Sequence, residues 1–455
     1  MYSEFMKNFR DLLHNSIYLY LDHLSSNQAF VLSYKLELHT VMLLIIKKLS
    51  RSLQVELAYF FYIQSDLAEV ASKSAFCQAR MKIKSSLFKA FNEDLLCLLH
   101  RHRLYGHPSA GQFKKVAIDG FKLRLPQTKA LKEEFGTVKN QHKREIAMAS
   151  AALAYDINTG YAIEADIDKI KTSEKGLVLP WLEKDVFDEE HLLIYDRFYL
   201  GWAYAYEHIV RGINFIMRAR VNWNKATKEF IASNSKDKIV TITIPEKALT
   251  ALRKKGYDLT GKATIKVRLV KGEDLNGKEV YYVTNVLDKQ VLSRTQINQD
   301  YAKRWQVETA IDALKNKIQL ECFSGHSKKV IEQDFYATII LYNISKVVHN
   351  HAMEELIKKE QAKQDSKAAR NQKETKVMTK DNMEYQPNHN LIIGVLGFNL
   401  FDLVGKNGEQ VYEDMIQFIV RFPEKVRKGR KYKISYKTNR LKGRHFYHTN
   451  YKRAI

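Results

Sequence analysis

Three carboxylates stand where chemistry could use them. Asp119 follows the apolar run Val116-Ala117-Ile118 and precedes Gly120; Asp196 follows Leu192-Leu193-Ile194-Tyr195 and precedes Arg197-Phe198. Each ends an apolar strand, and a single such Asp reads more readily as a turn former or a helix N-cap. Glu308 lies in YAKRWQVETAIDALK, a helical stretch. At about 100° per residue, with Tyr301 at zero, Arg304, Glu308 and Lys315 fall near about −60°, −20° and −40°. The apolar Val307, Ile311, Leu314 and Ile318 fall between about −80° and −140° on the same scale, a buried stripe beside the polar row. On the helix alone, Arg304 and Glu308 also read as an exposed i,i+4 pair worth a few tenths of a kcal/mol. Two strand-end Asp and one helical Glu on a mixed sheet are the set needed to hold two divalent cations about 4 Å apart. Oxygen donors suit Mg²⁺, with Mn²⁺ as substitute, and the lack of Cys/His spacing argues against zinc. Such a pair activates a water or 3′-hydroxyl, stabilises a pentacovalent phosphate and neutralises the departing oxygen, which is phosphodiester chemistry.

The elements that must position these groups follow from periodicity. From Lys115 onward, VAIDGFKLRL and EIAMASAALAYDINTGYAIEADI read as strands, the second run folding back at Asp156 to Gly160. A helix is expected around Gly176 to Asp185, a strand over His191 to Tyr195 and a helix from about Gly201 to Arg211. The fold class is α/β, a mixed sheet flanked by helices. Residues 216–290 carry KIVTITI, ATIKVRLV and EVYYVTNVL between Gly/Asp/Asn/Lys turns, expected to form a second small sheet inserted before the helix of Glu308. The 112 residues between Asp196 and Glu308 demand an insertion independently, since strand–helix connections are short. Residues 1–105 read as helical, and Ser65 to Lys84 is a helix-turn-helix candidate bearing Gln78, Arg80, Lys82 and Lys84; an ordinary helical hairpin with a basic face fits it equally.

The chain has 455 residues, room for about three domains. Lys plus Arg is 74 against 51 for Asp plus Glu, a formal +23 that points to a polyanionic partner. With 45% hydrophobic and 11% aromatic residues, disorder along the whole length is excluded. Cys77, Cys97 and Cys322 form no C-x-x-C, which fits a reducing compartment. The acids and amides of the amino terminus do not make a secretion signal, and no apolar run reaches the ~20 residues of a spanning helix. A soluble, cytoplasmic, DNA-associated protein with no membrane contact is expected. The segment Arg421 to Ile455 holds thirteen Lys/Arg and one acid, Glu424, interleaved with Tyr432, Tyr436, Phe446, Tyr447 and Tyr451. That mixture favours nucleic acid over plain solvation. The Gly272 to Lys278 run has phosphate-loop spacing, but Glu279 replaces the required Ser/Thr and no helix follows, so ATP binding is rejected. The pairs His100/His102, His349/His351 and His445/His448 lack companions at metal-ligand spacing.

The order AIDGF, IYDRFYLG and YAKRWQVETAIDALK resembles the DDE transposases of the IS4-type insertion sequences, the group that includes the Tn5 transposase. Their signature Y-x2-R-x3-E-x6-K is matched at Tyr301, Arg304, Glu308 and Lys315 without a spacing error, and the resemblance covers about Val116 to Ile344. It implies an RNase H-like core, in parts 106–215 and 291–356, with Asp119, Asp196 and Glu308 as metal ligands. It further implies a β-rich insertion over 216–290, a helical DNA-binding domain over 1–105, and a region 357–455 made of a charged linker, a returning helix and the basic tail. Tyr301, Arg304 and Lys315 inherit contacts to transposon-end DNA, and Arg80 would add one from the helix-turn-helix. Relatives of the Tn5 type pass through a DNA hairpin and stack a flipped base on an aromatic residue of the insertion. Trp223 is the first candidate for that role, with Tyr281 and Tyr282 behind it, although a core Trp is the commoner outcome. The implied substrates are double-stranded DNA, both terminal inverted repeats and target, held by a dimer on paired ends. A metal-dependent nuclease of the same fold and a catalytically silent DNA-binding repressor are the alternatives.

Overall fold

The computed structural model describes residues 2–31, 35–48, 52–64, 70–104, 112–139, 144–274, 277–371, 377–405 and 407–426. Most of the basic C-terminal segment, with its five named aromatic residues, lies outside the described residues, as do residues 65–69 of the helix-turn-helix candidate. The chain divides into two compact units, 1–104 with 314–455, and 105–313.

The first unit opens with helices α1 (Tyr2–His14), α2 (Ser16–Leu19), α3 (Leu38–Ile46), α4 (Leu53–Gln64), α5 (Lys73–Met81) and α6 (Ser86–Arg101). In α6, Leu87, Phe88, Phe91, Leu95, Leu98 and Leu99 recur at helical spacing and are all buried. Ser72 caps α5, its hydroxyl accepting from the Ala75 N–H at 3.1 Å.

The second unit carries a single nine-stranded sheet: β1 (Lys114–Arg124), β2 (Thr137–Lys139), β3 (Glu145–Asp156), β4 (Ala162–Lys169), β5 (His191–Tyr195), β6 (Asn214–Arg218), β7 (Asp237–Thr243), β8 (Thr264–Glu273) and β9 (Glu279–Thr284). The strand order is β2-β3-β1-β5-β6-β9-β8-β7, with β4 on β3. Its helices are α7 (Lys129–Phe135), α8 (Glu174–Glu183), α9 (Trp202–Val210), α10 (Lys225–Ala232), α11 (Glu246–Arg253), α12 (Arg294–Lys303) and α13 (Trp305–Asp312). β1 runs antiparallel to β3 and parallel to β5, and β5 is parallel to β6, so this is a mixed sheet flanked by helices. At the β3–β4 turn the Asp156 carboxylate accepts from the Asn158 and Thr159 N–H groups at 2.7 and 2.8 Å, and Gly160 takes φ +82°. One face buries Val116, Ile118, Leu193, Tyr195 and Phe215 against Leu177, Trp181 and Leu182 of α8 and Ala205 of α9.

The strands of 216–290 do not form a separate sheet. β9 pairs antiparallel with β6 (Ile216↔Thr284 to Arg218↔Tyr282), β8 with β9 and β7 with β8. The reason is the row of N–H and C=O groups that β6 presents on the side away from β5; β9 satisfies it. Arg268 on β8 is wholly buried and held by the Asp237 carboxylate at 2.9 and 2.7 Å.

The chain re-enters the first unit through a π-helical stretch, Ala313–Lys317, and continues as α14 (Lys328–Asn371), α15 (His389–Leu403) and α16 (Gly408–Arg421), with a two-strand ladder of β10 (Tyr385–Gln386) and β11 (Glu424–Lys425). α14 runs into the region from 357 onward expected to begin as a charged linker. It packs on α3, α6 and α16. Among the described residues no helix is long and apolar enough to cross a membrane.

Candidate active site

Asp119 and Asp196 are brought together by strand register. β1 and β5 are adjacent and parallel, and their last paired residues are Ile118 and Tyr195, so the residue after each is an aspartate on a neighbouring strand. Neighbouring strands lie about 4.8 Å apart. Both aspartates are half-buried. Asp119 Oδ1 accepts from the Gly120 N–H at 2.9 Å, and Asp196 Oδ1 accepts from the Phe198 N–H.

Glu308 reaches the same place from α13, which packs on β1 and β3. The small residues of β3, Ala147, Ala149, Ala151, Ala152 and Ala154, are fully buried and leave room for helices close to the sheet. The sequence stripe is buried as well: Val307, Ile311, Leu314 and Ile318 are all at or below 9% exposure. Arg304 joins two of the acids, its guanidinium donating to Glu308 at 2.6 Å and standing 3.6 Å from Asp119. The Arg304–Glu308 pair is thus not an exposed one, since the arginine side chain is only 10% accessible. Its Nε and Nη1 are buried and have no hydrogen-bond partner. Tyr301 leans on Tyr282, ring centroids 4.7 Å apart, and lies under the Arg304 guanidinium at 5.9 Å.

The electrostatics are those of crowded acids. Burial pushes the Asp119 carboxyl up to about 7; Arg304 and the Gly120 N–H pull it down, while Glu308 and Glu174 push it further up. Burial works against the charge on Arg304, but its bond to Glu308 and the fields of Tyr301, Glu308 and Asp119 outweigh it and raise its pKa. Burial raises the Tyr301 phenol to about 12, with Arg304 opposing and Asp196 reinforcing.

Of the other expected residues, Tyr282 borders the site through its contact with Tyr301. Lys315 falls in the π stretch of the first unit, 3.3 Å from Glu321. Trp223 is half-buried, stacked on Trp202 at 4.9 Å and packed against the main apolar cluster. Tyr281 and Tyr282 hydrogen bond to Glu279 and Asn298. Arg80 must be corrected. It is 5% exposed, and its guanidinium is spent on Gln333 at 2.7 Å, Asp334 at 2.7 Å and Ser324, so it is a core residue of the first unit and not a surface contact for DNA. Sequence reasoning could not see this because these partners lie more than 240 positions away.

Three residues near the acids were missed. Glu174, first residue of α8, neighbours Asp196 electrostatically. Tyr199, just past Asp196, is buried. Phe198 is 58% exposed, with the Arg197 and Arg220 guanidinium groups over its ring at 5.6 and 5.2 Å. The signal for Phe198 and Tyr199 was their place beside a strand-end Asp; Glu174 gave none.

Among the described residues no three His, Cys, Asp or Glu side chains are already closed around a point that could hold a metal ion. The donor set nevertheless fits a hard divalent cation: Asp119, Asp196 and Glu308 offer oxygen alone, and the positive charge between Asp119 and Glu308 is supplied by Arg304.

A family model described as transposase DDE domain matches residues 111–344, just over half of the chain. No curated protein matches. Among solved structures, the chain is similar to piggyBac transposase in its synaptic complex with hairpin DNA, seen by cryo-electron microscopy, at 11% identity and a TM-score of 0.36, over 88% of this chain and 77% of that one. The family match spans both strand-end aspartates, the helix of Glu308 and the sheet between them, and the chain belongs to the transposase DDE domain family.

Proposed function

We propose that this chain is an insertion-sequence DNA transposase of the IS4 type that binds terminal inverted repeats, cuts the element ends and joins the freed 3′-OH strand to target DNA. The observation that carries this reading is the convergence of Asp119 and Asp196, set side by side by strand register, with Glu308, tied to Asp119 through Arg304. In this reading Asp119, Asp196 and Glu308 are the ligands for two Mg²⁺ ions, or Mn²⁺ in their place. Bound there, such a pair lowers the pKa of the attacking oxygen and neutralises charge on the phosphate. The protein's part is to hold and orient. Arg304, a planar donor at the edge of the acids, is suited to grip a DNA phosphate, and Tyr301 braces it from below. Lys315 adds a phosphate contact in the assembled complex. Phe198, exposed and flanked by two arginines, is better disposed to meet a base than Trp223, whose ring already stacks on Trp202.

On this reading the sheet core is RNase H-like, and β7 to β9 with α10 and α11 are a family-specific extension of it. Residues 1–105 and the basic segment beyond 421 serve DNA, and two chains act together because two ends must be paired.

The test is cleavage of DNA carrying the element ends in Mg²⁺ or Mn²⁺. Asp119→Ala is expected to abolish cutting, by at least about 10³-fold, while end binding persists. A wild-type chain that binds ends but never cuts is instead a repressor. Supplying a pre-cut end separates the remaining alternatives: a transposase joins it to a plasmid, and a nuclease does not.

A further inference from the structure

Glu174 occupies the first turn of α8, but it is not the cap of that helix. Ser173 is, its hydroxyl accepting from the Gly176 N–H at 3.1 Å. The Glu174 side chain turns instead onto β1 beside Asp119. It fits there only because residue 120 has no side chain: a Cβ on Gly120 would lie 2.1 Å from Glu174 Cγ and 2.5 Å from its carboxyl carbon. An alanine at 120 would force the Glu174 side chain to swing aside, so it is the glycine that lets this carboxylate lie beside Asp119. Burial raises the Glu174 pKa, with Lys122 opposing and Asp196 reinforcing, and the Lys122 ammonium donates to the Ser150 hydroxyl at 2.6 Å.

A second observation points to the same spot. Tyr199 is 1% exposed, wedged between Tyr195 and Tyr204, with ring centroids 4.9 and 5.9 Å away. Its hydroxyl is buried and has no hydrogen-bond partner. A buried hydroxyl without a partner costs about 1–3 kcal/mol. The acids that act on this hydroxyl are Glu174, Asp119 and Asp196. The phenol is thus an unpaired buried donor within the field of all three carboxylates.

We propose that Glu174 is a fourth carboxylate ligand of the divalent-metal site, meeting Asp119 and Asp196 across Gly120, with the Tyr199 hydroxyl as the donor that orients these acids. The inference rests on the metal-site reading above and adds a residue to it. A fourth carboxylate would add oxygen donors to a site whose cations otherwise draw on Asp119, Asp196, Glu308, water and phosphate. Tyr199 is a positioning residue, since a protonated phenol donates to carboxylate oxygen and leaves metal coordination to the acids.

The experiment is direct Mn²⁺ binding to the full chain, read by electron paramagnetic resonance without DNA, with circular dichroism to confirm folding. Glu174→Gln is expected to weaken binding at least about tenfold, as Asp119→Asn does, and Glu174→Asp to recover part of the loss. Gly120→Ala, which pushes Glu174 away while keeping its charge, should weaken binding in the same direction. Tyr199→Phe should lower affinity by a smaller factor. If Glu174→Gln and Gly120→Ala both bind Mn²⁺ like the wild type while Asp119→Asn loses it, Glu174 is no ligand and the metal-site reading stands. If the wild type shows no saturable Mn²⁺ site, or Asp119→Asn leaves it intact, both the inference and the reading beneath it fall.

Discussion

Arg304 is the residue on which the resting site turns. With several acids within reach of one another, each ionisation raises the cost of the next, and a single guanidinium shared by Asp119 and Glu308 lowers that cost. The compensation is incomplete, because burial still holds Asp119 up at about 7. A carboxyl that binds its proton more tightly folded than unfolded adds stability in full below its unfolded pKa near 3.8 and loses it as pH rises through about 7. Asp119→Asn cannot ionise. In chelator it is therefore expected to be more stable than the wild type at pH 8, by about 4 kcal/mol, and level with it at pH 4. Thermal melts at the two pH values decide it, and an equal shift at both would refute the charge explanation. At this scale the sequence singled out Asp119, Asp196 and Glu308 as candidates because two acids ended apolar strands and the third sat beside an apolar helical stripe. Glu174 stayed hidden, since what brings it in is a missing side chain on a strand fifty-four positions earlier.

Between elements, register and packing do what periodicity cannot announce. His191–Tyr195 has the bounds that the apolar run implied, because five consecutive strand formers flanked by polar residues leave little choice. β6, α7, α10, α11 and α16 escaped notice: each is short or amphipathic and takes its shape from a neighbour. The long helix of the signature is also less regular than an ideal 100° wheel. It is interrupted at Arg304, between α12 and α13, and widens into a π turn over Ala313–Lys317. The wheel therefore holds for Tyr301 to Glu308 and drifts by Lys315. Within the first unit, the buried Arg80–Asp334 pair pins α5 to α14. Removing one partner leaves the other charged and buried. Arg80→Met is expected to cost about 3 kcal/mol in urea unfolding while leaving the DNA affinity of the folded protein within about twofold. A variant of normal stability with weakened DNA binding would restore the surface-contact role.

For the molecule as a whole, charge governs the encounter with DNA. Residues 427–455 carry eleven Lys/Arg and no acid, nearly half of the net +23. If they neutralise phosphates, truncation after Val426 should weaken DNA binding and flatten the dependence of log affinity on log salt by about 0.9 for each phosphate left without its cation. Filter binding across a salt series measures both, and an unchanged slope would mean that the segment does not touch the backbone. This contribution was legible from composition, whereas the path of the sheet was not: 216–290 reads as a module with its own strands, and nothing in the residue pattern says that β9 docks on β6. That docking limits how the enzyme can be re-engineered. Cutting out the stretch would bare the amides of β6 and turn a closed flank into a template for foreign chains.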